Sequence, residues 1–326
     1  DKNLFFDNDL ESQVRMQRAG SVLTFELSQP FEARAVTVRR GKREKPLDPH
    51  DGPRDYAPDL KLEVSEDGRH YVDVSNISCP ALRSMDTPGI ALFEPVKGRY
   101  FRFITNRGTN ISEVLLHASA RLKDWTAKTN YVKDPVALGN YDSQDVTGQT
   151  IDPSSVIDIT SLMNTDGRLK WKSPPGVKRW IILRMGSTTT GEVVAAAPDS
   201  GVGLDCDKFS KKALDQHFDN FLIPLLNKLK PWCGKTLKAL MMDSWEAGKQ
   251  NWTSSLPGYF KRHCGYDSTP WLLAMTGRIV RSIEDTERFL YDMRRTQTDM
   301  FNENFLGHIL KKKTAQYGLK FVSRTL

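Results

Sequence analysis

The stretch ALMMDSWEAGKQNWT, residues 239–253, ends a short apolar run at Asp243 and then sets Trp245, Glu246 and Trp252 close behind it. Two carboxylates beside indoles point to a carbohydrate site. Indole faces stack on the apolar faces of a pyranose, and carboxylates accept hydrogen bonds from sugar hydroxyls or move protons. A glutamate held against indole rings loses solvation of its charged form, so its pKa rises toward what a general acid for glycosidic cleavage needs. The plainer alternative is that Asp243 caps the next helix and Glu246 is a solvated loop residue, since strings of this kind are common.

A second candidate is the loop MGSTTTGEVVAAAPDSGVGLDCDKF, rich in small and hydroxyl residues and closed by Asp205 and Asp207. Long loops of this composition tend to be functional. Asp205 and Asp207 suit a hard cation or sugar hydroxyls, and Asp207 equally suits a helix cap. Gly201 and Gly203 make no dinucleotide fingerprint, and Ser187 with Thr188–Thr190 has no His and Asp pattern that would support a nucleophilic triad. His217 and His308 fall on or near apolar helix faces, where a structural role is expected, and Arg295 with Asp299 reads as a surface pair four residues apart.

These residues must be held by alternating strands and helices over residues 179–326. WIILRMG and TLKALMMD read as strands, the second ending at Asp243. From about Asp207 a helix presents Leu214, Phe218, Phe221, Leu222, Leu225 and Leu229 on one face, kinked or divided at Pro224. PGYFKRHCG reads as a short helix stopped by Gly265, and PWLLAMTG as another with Pro270 at its start. The longest helix starts near Ser282, paired with Asp285 as a cap, and shows Phe289, Leu290, Met293, Met300, Phe301, Phe305 and Ile309 on its apolar face. Gly318 stops it and LKFV begins another strand. The order is that of a parallel α/β sheet or barrel, whose strand C-terminal ends are where active sites are built.

Upstream, residues 20–122 carry short β-rich segments separated by Pro, Gly, Asn and Asp: SVLTFEL, ARAVTVRR, LKLEVS, RHYVDVS, RYFRFIT and EVLLHASARL. LEVSEDGRHYVDV is a hairpin turning at Glu66-Asp67-Gly68. Strands at this spacing suggest a sandwich or jelly roll. VSEDGRHYVDV, KGRYFRFIT and ISEVLLHAS together resemble galactose-binding-like, discoidin-type sandwiches, which bind carbohydrate or serve as structural accessories. Residues 126–178 read as a connecting β-rich segment, with GRLKWKSPPGVKRWIILRMG forming two strands around Pro174-Pro175-Gly176.

Composition sets the outer bounds. The chain has 326 residues, 39% hydrophobic and 27% charged, so a sizeable core is expected. No apolar run reaches the roughly 18 residues of a spanning helix, and the N-terminal stretch lacks the basic and apolar blocks of a signal peptide. The formal charge is +7, but 47 basic residues are spread among 40 acidic ones, and a nucleic-acid surface concentrates them. RRGKREK (39–45) and KKK (311–313) read as solvated charge. Cys79, Cys206, Cys233 and Cys264 lack metal or redox spacing and read as separate thiols, with one disulfide left open.

The block LRMGSTTTGEVVAAAPDSGVGLDCDKF, then MMDSWEAGKQNWTSSLPGYFKRHCGYD, LLAMTGRIV and ERFLYDMRRTQTDMFNENF, resembles the catalytic region of glycoside hydrolase family 106, the bacterial α-L-rhamnosidases. The resemblance runs in order over residues 168–321. It implies a calcium-dependent, inverting, exo-acting rhamnosidase, periplasmic or secreted, on a (β/α)8 TIM-type barrel. Glu246 matches the general acid and Asp243 a residue that orients it or contacts sugar. Trp245, Asn251, Trp252, Asp205 and Asp207 would line the pocket. The chain departs from the family pattern in lacking the first barrel strands and the second carboxylate, so it reads as an internal segment of a longer enzyme, inactive in isolation. The expected organisation is a β-sandwich over 1–125, the connecting segment over 126–178 and a partial barrel with the catalytic region over 179–326. A non-catalytic protein that binds carbohydrate through its sandwich is the alternative, and a polyanion-binding protein a third.

Overall fold

The computed structural model describes residues 12–40, 59–78, 88–130, 144–177, 179–193, 198–242 and 250–323. Side chains at 242, 309–312 and 323 are outside that description, as are Asp243, Trp245, Glu246 and Cys79. The chain divides into two compact units, the first formed by Asp1–Ser155 with Leu273–Thr286 and the second by Val156–Leu272 with Glu287–Leu326.

The first unit is built on a six-stranded antiparallel sheet. Its strands are β1 (Val14–Met16), β2 (Val22–Arg40), β3 (Asp59–Ser65), β4 (Val72–Ser78), β5 (Gly89–Thr105) and β6 (Thr109–His117), in the order β1-β6-β2-β5-β3-β4. SVLTFEL and ARAVTVRR, which read as two strands, are one. Pro30, which cannot donate to a ladder, falls where the β2–β5 register shifts between Glu26 and Phe31, so the irregularity absorbs it without ending the strand. The expected hairpin is β3–β4. Asp67 Oδ1 accepts from the Arg69 and His70 amides at 2.8 and 2.9 Å, and Gly68 takes φ +74° at the turn. The Asp67 carboxyl is held well below the usual carboxylate range, first by the His70 amide and then by the His70 ring and the Arg69 amide.

Leu60, Leu62, Phe101, Phe103, Val36 and Val38 are buried at the centre of the sheet. Each contributes about 1.5–3 kcal/mol by leaving water. A short helix, α1 (Trp125–Lys128), follows β6. Close by, Gly277 (φ +76°) accepts the Leu122 amide on its carbonyl at 2.8 Å, and a Cβ on it would stand 2.6 Å from Trp125 Cδ1, so only glycine fits.

A polar knot sits against this core. His117 Nε2 is 2.8 Å from Thr37 Oγ1, and its Nδ1 is 3.1 Å from Arg121 Nη2. A guanidinium can only donate, so Nδ1 accepts and the imidazole proton is on Nε2, directed at Thr37. Burial, then the charges of Arg121 and Arg278, pushes the His117 pKa down to about 3. The unfolded chain therefore binds one more proton than the folded one between about pH 6.5 and pH 3, and stability is lost as pH falls through that window. The expected loss approaches about 1.4 kcal/mol per pH unit. Chemical denaturation from pH 7 to pH 4 should show it, with a flatter profile in His117→Gln; an unchanged slope in that variant would assign the effect elsewhere.

The second unit is largely helical. Its helices are α2 (Lys211–His217), α3 (Ile223–Leu229), α4 (Leu256–Cys264) and α5 (Ile283–Met300), whose first turn belongs to the first unit; its strands are β7 (Ala239–Met242) and β8 (Lys320–Ser323). Pro224 divides the first helix as expected, and Gly265 ends α4 in the left-handed region at φ 81°. Ser282 Oγ accepts the Asp285 amide at 3.0 Å and donates to its carboxylate at 3.0 Å, which is the expected cap. PWLLAMT, read as a helix, lies in a 3-10 stretch, Thr269–Thr276, which ends before Gly277.

Two π-helical stretches, Phe218–Leu222 and Phe301–Lys313, depart from the α-helical reading. The wider π turn rotates the apolar face. Leu214, Phe218, Leu222 and Leu226 accordingly pack inward, while Phe221 is 62% and Leu225 45% exposed. A separate aromatic cluster joins Phe260 to Tyr266 and Phe289, with ring centroids 4.9 and 5.7 Å apart, and Trp271 stacks on Phe289.

β7 and β8 pair in parallel, Ala239 with Lys320 through Met242 with Ser323, as an α/β sheet requires. The strand expected at WIILRMG is absent among the described residues, where 179–186 is irregular. Its Ile181 and Ile182 are 70% and 54% exposed, and a strand exists only where a neighbour completes its ladder. The two strands expected around Pro174-Pro175-Gly176 reduce, for the same reason, to a turn at Pro175-Gly176. No described helix is long and apolar enough to cross a membrane. Cys206, Cys233 and Cys264 are free thiols.

Candidate functional site

The loop that begins at Ser187 is closed by an antiparallel bridge between Val193 and Leu204 and by the Asp205 amide, which donates to the Glu192 carbonyl at 3.0 Å. The chain then passes Asp205 and Asp207 and enters α2. Ser210 is the cap of that helix, its Oγ accepting the Ala213 amide at 3.3 Å. Asp207 stands three residues ahead: its Oδ1 accepts the Phe209 and Ser210 amides at 3.0 and 3.1 Å and so shapes the turn into the helix.

Asp207 also ties this turn to the segment after the Trp245–Glu246 stretch. Gln250 Nε2 donates to Asp207 Oδ1, and Thr253 Oγ1 donates to Oδ2 at 2.8 Å. Four donors thus converge on one half-buried carboxylate, which has the character of an anchor. Gln250 completes the link. Its Oε1 accepts the Lys208 amide at 3.1 Å, and its Nε2 donates also to the Trp252 carbonyl at 3.1 Å. From the helical side, Gln297 Nε2 donates to the Asn251 carbonyl and Asn304 Nδ2 to the Phe209 carbonyl, at 2.9 and 2.8 Å.

Of the residues marked by sequence, Asp205, Asp207, Asn251 and Trp252 therefore lie on two segments bonded to each other. Asp205 is ion-paired with Lys208, itself buried. The residues sequence reading passed over are Gln250, Thr253 and Gln297. Asp243, Trp245 and Glu246 fall outside the described residues, between β7, fixed by its pairing with β8, and Gln250, fixed on Asp207. The histidines are structural. His308 Nε2 is 2.9 Å from Asp215 Oδ1, and His217 stacks on Phe221. Arg295 and Asp299 pair at 3.7 Å on exposed side chains.

The carboxylates here do not fit a calcium ion. Asp205 faces the Lys208 ammonium and Asp207 is surrounded by hydrogen-bond donors, whereas calcium takes six to eight oxygens. Among the described residues no three His, Cys, Asp or Glu side chains stand together as a metal site.

The alpha-L-rhamnosidase family, glycoside hydrolase family 106, matches residues 8–323. This chain belongs to that family. A rhamnosidase structure from Novosphingobium sp. PP1Y superposes on 98% of this family 106 chain with a TM-score of 0.70 at 25% identity, and the chain covers 30% of that structure. A protein of Formosa agariphila provisionally named a beta-glucuronidase is 39% identical over 171 residues, which is 52% of this chain and 14% of that protein. The CBM32 of AlyQ aligns with 36% of this chain at 14% identity and a TM-score of 0.28, too low a likeness to argue from. The family 106 chain thus spans under a third of the rhamnosidase and a seventh of the curated relative.

Proposed function

We propose that the full-length enzyme carrying this chain removes terminal α-L-rhamnosyl residues from oligo- or polysaccharides or glycosides, in the periplasm or outside the cell, by an inverting acid/base mechanism. The observation that carries the reading is family membership over nearly the whole chain, joined to the convergence of Asp207, Asn251 and Trp252 beside the stretch that holds Glu246. The reading puts the parallel pair β7–β8 in a (β/α)8 barrel, at the strand ends where such sites are built.

In this mechanism Glu246 enters protonated and gives its proton to the glycosidic oxygen as the C–O bond breaks. A second carboxylate takes a proton from water as it attacks the anomeric carbon from the opposite face, so the product is the inverted anomer. Asp243 orients Glu246 or meets a sugar hydroxyl. Trp245 and Trp252 stack on the ring and Asn251 hydrogen-bonds its hydroxyls, while Asp205 and Asp207 stand at the wall behind them. Calcium enters the proposal through the family alone, and the acid and base steps are carried by side chains.

The Formosa relative supports a second reading, a β-D-glucuronide substrate, but its match spans 14% of a much longer protein. The two readings separate with the full-length enzyme on aryl α-L-rhamnoside and aryl β-D-glucuronide. Release of rhamnose as the inverted anomer, followed by NMR before mutarotation, with the glucuronide inert, is expected. Cleavage of the glucuronide alone would replace the proposal.

A further inference from the structure

Gln250 uses both ends of its amide on other segments. Oε1 accepts the Lys208 amide at 3.1 Å, and Nε2 bridges Asp207 Oδ1 and the Trp252 carbonyl. It is the first described residue after the stretch with Glu246 and immediately precedes Asn251 and Trp252. Gln297 holds the next carbonyl, that of Asn251, and Thr253 returns to Asp207, so three successive positions after Gln250 are bonded in place. A surface loop needs no such density of long-range bonds; a segment whose placement sets the rate of a reaction does, since a misplacement of about 1 Å costs up to roughly 10²-fold.

Resting on the rhamnosidase reading, we propose that Gln250 is a positioning residue for the reaction. It touches no substrate. Four positions after Glu246 in the sequence, it fixes Asn251 and Trp252 against Asp207. The amide is suited to this because it must accept and donate at once, with its donor directed at a carboxylate. Glutamate can accept but cannot donate while ionised.

Two variants of the full-length enzyme test this, each checked for folding by circular dichroism and thermal midpoint. Gln250→Met keeps the length of the side chain and removes its hydrogen bonds. It is expected to lower kcat/KM on an alkyl rhamnoside roughly ten- to hundredfold, and on an aryl rhamnoside with a good leaving group several-fold less, because the acid is displaced. Gln250→Glu sets two carboxylates in contact, and such a pair holds one proton more readily than either group alone. As pH falls that proton restores the donated bond to Asp207, so the ratio of variant to wild-type activity should rise. A loss equal on both substrates and constant with pH would make Gln250 merely structural and overturn the proposal, as would wild-type kinetics in both variants. Should Gln250→Glu not fold, the leaving-group comparison in Gln250→Met decides alone. An unmutated enzyme that releases no rhamnose would instead overturn the function on which the proposal rests.

Discussion

Asp207→Ala is expected to destabilise the second unit by about 2–4 kcal/mol and to lower rhamnosidase activity at least tenfold in the molecules that remain folded. The substitution strands the Phe209 and Ser210 amides, Gln250 Nε2 and the buried Thr253 hydroxyl at once. A hydrogen bond to a charged acceptor contributes about 1.5–3 kcal/mol, but the exposed members of this set regain water, so the sum stays below four full bonds. Asp207→Asn keeps Oδ1 and with it the turn into α2, and should cost markedly less. Urea denaturation of both variants beside their kcat/KM values checks this. A large rise in KM with no loss of stability would make Asp207 a sugar contact and not an anchor.

Features that depend on near neighbours were legible in the sequence. The β3–β4 hairpin was readable because Asp67 and Gly68 supply the turn chemistry themselves, and α4 because Gly265 ends it within its own span. The Ser282–Asp285 cap spans three residues and was readable for the same reason. Features that depend on distant partners were not. Whether WIILRMG forms a strand is decided by what pairs with it, and its apolar composition says nothing of that. The single long β2 was hidden by Pro30, which marks a break unless a register shift accommodates it.

The site divides in the same way. Asp207 was marked because carboxylates at a loop end attract attention, and both the capping and the pocket readings were open. Its anchoring role comes from Gln250 and Thr253, more than 40 residues downstream. Gln250, Gln297 and Asn304 carry no motif; an amide bonded to main-chain groups across the fold leaves no periodicity or spacing to read. Neither local pattern nor contact separates Asp243 from Glu246; that distinction is implied by the sequence resemblance and belongs to the proposed mechanism.

That distinction makes the second large expectation. Glu246→Gln in the full-length enzyme removes the transferable proton and keeps the size and hydrogen-bonding shape of the side chain. A general acid contributes about 10²–10⁴-fold, and its share grows with the basicity of the leaving oxygen. An alkyl rhamnoside leaves as a poor alkoxide and depends on protonation. A dinitrophenyl rhamnoside leaves as a stabilised phenolate and scarcely does. In the proposed mechanism the acidic limb of the wild-type profile would belong to the base and the basic limb to Glu246, so the variant should also lose the basic limb on the activated substrate. The direct measurement is kcat/KM for Glu246→Gln and wild type on these two substrates at one pH. The account predicts a fall of about 10²–10⁴-fold on the alkyl rhamnoside and of less than about tenfold on the dinitrophenyl rhamnoside. An equal fall on both would contradict it.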